Sequence, residues 1–256
     1  MGRSVCFSVV TICFNCEREI EATLLSVLGQ TYSNVDYVVI DGKSSDGTMD
    51  IVSRYEDGIS TVVSEPDTGI YNAMNKGLLH CKGDYVIFMN AGDVFASDTV
   101  LERLNAVICV QEAPPSLVYG TYMESQGGTV IPNRDYRRCW YGMFTSHQAM
   151  AYNLGFLRDN NIHYDETYRI AADYKFTISV IAAGRNVLRT DVCFAKFDTT
   201  GVSCSNPDLG LAEADRARRE VFGYGMVRIA LIHSLLLAAR FMKNNMKGIY
   251  SILRYK

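Results

Sequence analysis

Four short apolar runs alternate with helix-forming segments between residues 4 and 93, and this alternation limits the possible folds more than any other feature of the sequence. The runs are rich in Val and Ile, as is typical of strands buried on both faces. Apolar residues at helical spacing follow each of the first three runs. This order predicts a parallel sheet with right-handed crossovers. The predicted strands are 4–14, 35–41, 59–64 and 83–90, and the predicted helices between them are 16–30, 48–55 and 70–80.

The pattern becomes less regular after Asp93. The later segments mix strands and helices, so we expect an α/β fold with a mixed sheet, a parallel first half and a helical C-terminal extension. The expected elements are a helix at 97–110, paired strands at 116–123 and 128–132, a strand at 145–152, a helix at 171–184, one or two strands at 185–197 and helix from 209 onward.

Polar residues follow each of the four early strands, at 11–15, 41–42, 64–67 and 90–93. In an open parallel sheet, ligands bind outside the carboxyl ends of the strands. The helix predicted at 70–80 would also point its N-terminal N–H groups toward this edge, which favours an anion. The sequence therefore predicts a polar pocket at one rim of the sheet.

Composition excludes few classes, but the charge distribution is informative. The chain is 48% hydrophobic and 21% charged, as is typical of a globular protein, and its formal charge of −3 gives no reason to expect a nucleic-acid partner. Residues 216–256 contain nine Lys and Arg and one Glu, a local charge of +8, so the remainder carries −11. A basic tail on an acidic body predicts a surface partner for the tail.

The eight cysteines do not indicate a disulfide framework. Several lie in apolar runs, as buried thiols do. Cys13 and Cys16 have C-x-x-C spacing, but a zinc site would need a second such pair, and free thiols are the simpler interpretation. This pattern predicts a reducing, cytoplasmic environment.

Three aspartates are the candidates for chemistry. The sequence lacks the glycine-rich dinucleotide fingerprint, the P-loop and the hydrolase nucleophile elbow. Asp41 ends the second strand, Asp93 follows the fourth, and Asp173 opens a later helix. One or two carboxylates with open coordination positions suit Mg²⁺ or Mn²⁺ that bridges substrate phosphates. Any single Asp could instead cap a helix or stabilise a turn. This structural explanation is weaker when several Asp residues lie at one edge of the sheet.

The same segments carry a resemblance to a known family. The segments "SVVTICFN", "VIDGKSSDGT", "SEPDTGIYNAMNKG" and "GDYVIFMNAGD" occur in order from residue 4 to 93, and "SHQAMAY" and "AADYKF" extend the match to about 176. Together they resemble the family-2 glycosyltransferases with a GT-A nucleotide-sugar fold, especially bacterial members that build polysaccharides. The resemblance implies a nucleotide-sugar half at 1–110, an acceptor half of the same domain at 111–205 and a basic helical extension at 206–256.

The resemblance also implies roles for individual residues. Asp41 would accept a hydrogen bond from the base, which favours uracil, Asp93 would hold Mn²⁺ or Mg²⁺, and Asp173 would be the general base. The other implied nucleotide-binding residues are Thr11, Phe14, Glu17, Asp67, Gly69, Lys76, Asn90 and Ala91. The implied residues near the acceptor or diphosphate are His147, Gln148 and Trp140, although Trp140 could equally cover the sheet edge and His147 could be structural.

The sequence departs from the family pattern at three positions. Asn90 replaces the first carboxylate of the Asp-x-Asp element, so metal binding would rest mainly on Asp93. Asn72 stands where many relatives have Asp, and Lys43 stands where a small residue is common.

The chemistry required of such an enzyme agrees with these residues. A divalent ion and helix N-termini can stabilise a leaving diphosphate, and a carboxylate can deprotonate an acceptor hydroxyl. A base opposite the leaving group implies inversion at the anomeric carbon. The expected donor is UDP-linked and the acceptor is a saccharide or a lipid-linked molecule. The alternatives are a sugar-nucleotide nucleotidyltransferase, which would need a basic glycine-rich loop after the first strand, and a non-catalytic nucleotide-sugar-binding protein.

The tail contains an apolar stretch at 226–242 that charged residues interrupt, so its clean run is shorter than the roughly 20 residues of a bilayer span. We expect a helix in 226–256 that lies on the inner face of a membrane, with packing on the catalytic domain or on a second subunit as alternatives. The predicted lipid-facing residues are Ile229, Ile232, Leu235, Leu236 and Ala239.

Overall fold

The computed structural model describes residues 4–125, 127–184, 186–197 and 206–245. Within them the strands are β1 (Phe7–Cys13), β2 (Val35–Asp41), β3 (Thr61–Ser64), β4 (Tyr85–Phe88), β5 (Val94–Phe95), β6 (Leu117–Glu124), β7 (Val130–Ile131), β8 (Met150–Asn153) and β9 (Val187–Phe197). The helices are α1 (Ile20–Leu28), α2 (Thr48–Ser53), α3 (Ile70–His80), α4 (Val100–Cys109), α5 (Leu154–Asp159), α6 (Ala172–Ala183), α7 (Pro207–Phe222) and α8 (Met226–Asn245).

All nine described strands form one mixed sheet. Their order is β3-β2-β1-β4-β8-β6-β9-β5, and β7 pairs with β6. The four N-terminal strands β3, β2, β1 and β4 run parallel to one another, whereas β8 is antiparallel to both of its neighbours, β4 and β6. The expected α/β fold with a parallel first half is therefore confirmed.

The direction of β8 determines what meets at the rim of the sheet. Because β8 runs antiparallel to β4, its first residue lies at the carboxyl end of β4. The residues just before β8 form a short 3₁₀ turn, His147–Ala149. The turn after β4 and the turn before β8 are thereby brought to the same edge, although they are more than 50 positions apart in the sequence.

Most predicted elements are present, and two short ones were missed. The β2 strand and the α3 helix match their predicted bounds, and β6 and β7 pair as expected. The strand β5 has two residues and the helix α5 has six, so neither provides enough periodicity for recognition. The strand predicted at 145–152 starts later because its first part forms the 3₁₀ turn.

Apolar cores cover both faces of the sheet. On one face, α3, α6 and the buried Ala217 of α7 pack around residues such as Val10, Phe88 and Tyr152. On the other, α1 and α4 pack over residues such as Phe7 and Ile87. Burial on both faces explains why the early strands are continuous apolar runs.

The C-terminal helix α8 packs on the protein through part of the side that we predicted from the sequence to face lipid. Ile229 and Ile232 are buried, 7% and 2% exposed, so the predicted lipid-facing set is wrong for these two residues. The His233 side chain of α8 also contacts α7, with Nε2 at 2.5 Å from Asp215 Oδ2. The part of the tail prediction that concerns residues 246–256 lies outside the described residues.

Candidate active site

Asp41 is the last residue of β2 and lies beside the end of β1, where its carboxylate holds the neighbouring loops at the rim of the sheet. Its side chain is fully buried. Its carboxylate accepts hydrogen bonds from the Ser44 amide at 3.1 Å, from the Ser44 hydroxyl and from the Ser64 hydroxyl at 2.6 Å. Asp41 therefore fixes the loop after β2 and the end of β3, and its burial speaks against the expected direct contact with a base.

The Asp67 carboxylate lies on top of the rim, directly over Gly42. A Cβ atom built on Gly42 would be 2.4 Å from Asp67 Oδ2 and 3.2 Å from the Phe14 ring. Asp67 Oδ1 accepts a hydrogen bond from the Gly69 amide at 2.9 Å, and Oδ2 has no hydrogen-bond partner within the described ranges. The Phe14 ring is 61% exposed. The Phe14 ring and the Asp67 carboxylate therefore cover the Gly42 backbone and leave no room there for a larger residue.

Two other predicted nucleotide-binding side chains make their contacts elsewhere. Thr11 is fully buried, and its hydroxyl pairs with the Tyr37 hydroxyl at 3.0 Å. Glu17 is at the surface, where its carboxylate accepts a hydrogen bond from the Gly47 amide at 2.9 Å. Thr11 thus supports the sheet, and Glu17 connects the loop after β1 to the loop before α2.

Lys76 is held at the loop between β3 and α3. Its Nζ donates to the Pro66 carbonyl at 2.7 Å and lies 2.9 Å from the Glu65 carboxylate. Gly69, at the start of α3, has φ of +135°, a conformation that favours glycine. Lys76 therefore shapes the loop that carries Asp67, while its charge is balanced by Glu65.

The turn that contains Asn90, Ala91 and Asp93 is the second part of the rim. The Ala91 amide donates to the Ile12 carbonyl at 3.1 Å, which places the turn beside the end of β1. The Asp93 amide donates to the Asn90 carbonyl at 2.9 Å, and the Thr23 hydroxyl of α1 donates to the Asp93 carbonyl at 2.8 Å. The turn is therefore fixed from both ends.

His147 and Gln148 link Asp93 to Asp173. Gln148 Nε2 donates to Asp93 Oδ2 at 3.1 Å. His147 Nδ1 lies 3.8 Å from Asp173 Oδ2. The structure thus brings together four predicted site residues from three separate segments, namely the turn after β4, the turn before β8 and the first turn of α6.

Burial dominates the electrostatics of both carboxylates. It raises the pKa of Asp93, and the nearby His147 and the hydrogen bond from Gln148 oppose this effect. Burial also raises the pKa of Asp173, again opposed by His147. The Asp173 side chain nevertheless keeps 26% of its surface exposed, so solvent and solutes reach it. Perturbed carboxylates at one rim are typical of functional sites.

The residues around Asp93 fit a divalent cation. Asn90 Oδ1 and His147 Nε2 are buried polar atoms without a hydrogen-bond partner in the described chain. Together with the Asp93 carboxylate they offer oxygen and imidazole nitrogen donors, a set that Mn²⁺ accepts. The described residues include no cluster of three or more His, Cys, Asp or Glu side chains suited to a metal. A site that shares its ion with a diphosphate needs only one or two carboxylates.

Helix α7 supports the segments that carry Trp140 and Asp173 through buried charges that the sequence did not reveal. The Glu213 carboxylate accepts hydrogen bonds from the Arg169, Ile170 and Ala171 amides at 2.8 to 2.9 Å, just before α6. It therefore holds the segment that leads into Asp173. A charged residue in a polar helix normally faces solvent, so the sequence carries no signal for this role.

Arg218 has a similar supporting position. It is 2% exposed and pairs with Asp215 at 2.6 Å. Its guanidinium also donates to the Trp140 carbonyl at 2.9 Å and to the Tyr141 carbonyl at 2.8 Å. Trp140 is thus fixed through its backbone near α6, and its indole ring lies edge-on to Tyr141.

Residues 8–172 match the family model "Glycosyl transferase family 2". Because this match covers more than half of the chain, the protein belongs to glycosyltransferase family 2. An uncharacterized glycosyltransferase of Mycobacterium tuberculosis is 31% identical over 202 residues, which cover 76% of each chain. A PGL/p-HBAD biosynthesis glycosyltransferase of Mycobacterium bovis is 30% identical over 176 residues, 67% of this chain and 68% of the relative.

Solved structures identify the fold as GT-A. TarS residues 1–349 of S. aureus in complex with UDP superpose with a TM-score of 0.71 at 20% identity, covering 96% of this chain and 75% of that one. The mannosyltransferase PcManGT of Pyrobaculum calidifontis in complex with GDP-Man and Mn²⁺ gives a TM-score of 0.66 at 16% identity, covering 98% and 79%. The chain is therefore a glycosyltransferase with a GT-A fold, as the sequence predicted.

Proposed function

We propose that the protein is an inverting, metal-dependent glycosyltransferase that moves a sugar from a UDP-linked donor to a hydroxyl acceptor. The observation that carries this proposal is the arrangement of Asp93 and Asp173, which lie on either side of the His147–Gln148 turn at the carboxyl ends of the strands. In this proposal, Asp93 acts on the leaving diphosphate and Asp173 acts on the acceptor hydroxyl.

Asp173 is the general base in this proposal. Its raised pKa brings the carboxylate closer to neutral pH than an exposed Asp, which improves proton acceptance from a hydroxyl. His147 lies close enough to stabilise the ionised form. Deprotonation of the acceptor on the side opposite the diphosphate gives direct displacement with inversion. This mechanism requires no covalent intermediate.

Asp93 holds the cation, with Asn90 and His147 as further donors. Mn²⁺ or Mg²⁺ bound there would neutralise charge that develops on the leaving diphosphate. Gln148 orients the Asp93 carboxylate through its amide hydrogen bond. The complex of PcManGT with GDP-Man and Mn²⁺ supports a divalent ion for this fold.

The base stacks on the exposed face of the Phe14 ring, beside Gly42 and Asp67. The Phe14 ring offers a stacking surface, and the unpaired Asp67 Oδ2 accepts a hydrogen bond from an N–H group. Uracil carries such a group at N3, and cytosine does not. Asp41 acts on the nucleotide through Ser44 and Ser64, which it holds. Ala91, Gly69 and Lys76 border the nucleotide and its phosphates through the loops that they fix. Thr11 and Glu17 support these loops.

The acceptor is a saccharide or a lipid-linked molecule in polysaccharide or glycolipid assembly, and Trp140 is a candidate for its sugar face. The name of the mycobacterial PGL/p-HBAD biosynthesis relative supports a biosynthetic role. The nucleotidyltransferase alternative lacks a basic glycine-rich loop after β1, where Phe14 and Asn15 stand. The non-catalytic alternative predicts UDP binding without turnover, so the loss of Asp173 would change neither of these properties.

A thermal-shift experiment tests the donor and metal sites together. UDP should raise Tm, and Mn²⁺ should increase that rise, because a ligand that binds only the folded state stabilises it. In Asp93→Ala the Mn²⁺-dependent part should vanish while the smaller shift with UDP alone remains. The exposed Asp159→Asn variant serves as the matched control and should behave like the wild type. Absence of any shift with uridine, guanosine, cytidine or adenosine diphosphates would remove the basis of the proposal.

Asp67→Asn should change the base preference from uracil to cytosine. The Asn oxygen can keep the bond to Gly69 while its amide N–H₂ replaces Oδ2 above Gly42. That group donates to cytosine N3 but faces the N3–H of uracil. We expect the ratio of the UDP and CDP dissociation constants, measured by titration calorimetry, to shift toward CDP by about 10-fold or more. An unchanged ratio would exclude Asp67 as the base contact.

A further inference from the structure

Half of the exposed large hydrophobic side chains in the described residues lie on one helix. The exposed fractions on α8 range from 52% for Leu235 to 84% for Met226. Scattered exposed hydrophobic residues are normal, but a contiguous apolar patch marks an interaction surface. The six residues are Met226, Val227, Leu231, Leu235, Leu237 and Phe241, and we refer to them as the outer face of α8.

The outer face is continuous and uncharged. At 3.6 residues per turn, its six residues fall within an arc of about 180° around the helix. The other positions in the same arc are Ala230, Ser234, Ala238, Met242, Asn244 and Asn245, so the arc contains no charged residue. The helix has 20 residues and is therefore about 30 Å long. This stripe is large enough to bind a surface along its whole length.

The opposite side of α8 is fixed to the protein. Ile229 and Ile232 are buried, and His233 contacts the buried Asp215. Asp215 in turn pairs with Arg218, which holds the Trp140 and Tyr141 carbonyls on the acceptor side. The helix is therefore not a loose segment that could turn its outer face inward.

The charge around the outer face identifies the partner. Residues 226–256 contain six Lys and Arg and no Asp or Glu. Arg228 lies at the start of α8, with its guanidinium 3.9 Å from the centre of the Tyr224 ring. An apolar stripe with basic neighbours is typical of a helix that lies in the interface of an anionic membrane. Two copies of the chain that met through this face would bring two basic segments together, which disfavours a homodimer.

We propose that the outer face of α8 binds the surface of an anionic lipid membrane, with the helix parallel to the bilayer. Among the described residues, no helix combines the length and apolar character that crossing a bilayer requires. The apolar side chains enter the headgroup region, and Arg228 at the start of the helix interacts with lipid phosphates. This outer face shares only Leu235 with the lipid-facing side predicted from the sequence. The proposal does not depend on the donor or on the reaction.

Vesicle co-sedimentation of the full chain tests this proposal. The wild type should bind vesicles of equimolar phosphatidylcholine and phosphatidylglycerol, and bind vesicles of phosphatidylcholine alone more weakly. The double variant Leu231→Gln with Leu235→Gln should reduce binding to the anionic vesicles by about 10-fold or more. The reason is that both leucines are exposed in the free protein and would be buried in the membrane. The matched control, Leu25→Gln with Leu79→Gln, changes two exposed leucines away from α8 and should bind like the wild type.

Three results would overturn the proposal. They are equal binding of both double variants, no vesicle binding by the wild type, or a wild-type dimer in solution that Leu231→Gln with Leu235→Gln dissociates. Circular dichroism melting confirms that each variant is folded, and the UDP thermal shift, which does not involve lipid, reports separately on the donor site. A failure of the membrane proposal is thereby distinguishable from a failure of the proposed function.

Discussion

Asp173→Asn should reduce donor turnover by roughly 10²–10⁴-fold, because an amide cannot accept the proton of the acceptor hydroxyl. The substitution preserves size, and the Asn side-chain oxygen can still accept the bond from the Tyr174 amide, which Asp173 accepts at 2.7 Å. The fold and nucleotide binding should therefore be retained. Turnover is measured as UDP release from a panel of UDP-sugars with saccharide acceptors, and the UDP thermal shift checks binding.

The pH profile gives an independent readout of the same residue. A general base must be ionised, and burial raises the pKa of Asp173 above the usual 3.8. As the pH falls, kcat/KM should therefore decline at a pH above 3.8, earlier than an exposed Asp would cause. Asp159→Asn is the control, since it removes an exposed carboxylate and should leave both rate and profile unchanged. Full activity in Asp173→Asn would eliminate the general-base role, whereas UDP binding without any turnover by the wild type would favour the non-catalytic alternative.

Arg218→Met should reduce the free energy of unfolding by about 3–5 kcal/mol, the usual cost of removing one partner of a buried ion pair. The substitution leaves Asp215 buried with His233 as its one remaining partner among the described residues. It also removes the donors to the Trp140 and Tyr141 carbonyls. Urea denaturation followed by circular dichroism measures the effect.

The neighbouring Arg219 provides the matched control for this stability prediction. It lies in the last turn of the same helix and is exposed. Arg219→Met should cost less than about 1 kcal/mol, as surface charges usually do. If the two variants lost equal stability, the buried pair would not be a structural support of the acceptor side.

The sequence predicted the parallel half of the fold well because local patterns are strong there. Each early strand is a continuous apolar run, and each polar end follows directly, so Asp67 and Asp93 could be assigned to one rim. The position of β8 between β4 and β6 could not be predicted, because pairing between distant strands leaves no local signature. That pairing is what places His147 and Gln148 beside Asp93.

The environment of individual side chains was harder to predict than their position. Asp41 ends a strand and Asp67 follows one, yet Asp41 is fully buried whereas Asp67 is only partly buried and packs over Gly42. The difference depends on Ser44 and Ser64, whose hydroxyls close over Asp41. Similarly, the charged sequence of α7 gave no sign that Glu213 and Arg218 are buried, because burial there is decided by contacts with residues 140–171.

The position of β8 also restricts how the enzyme can move. Its backbone is hydrogen-bonded to β4 of the parallel half of the sheet and to β6 of the other half, so the two halves form one continuous sheet, which opposes their movement as separate lobes. Substrate entry and product departure must then depend on the segments that border the rim. Loops gate turnover in many enzymes, so we expect their motion to contribute to the rate of this one.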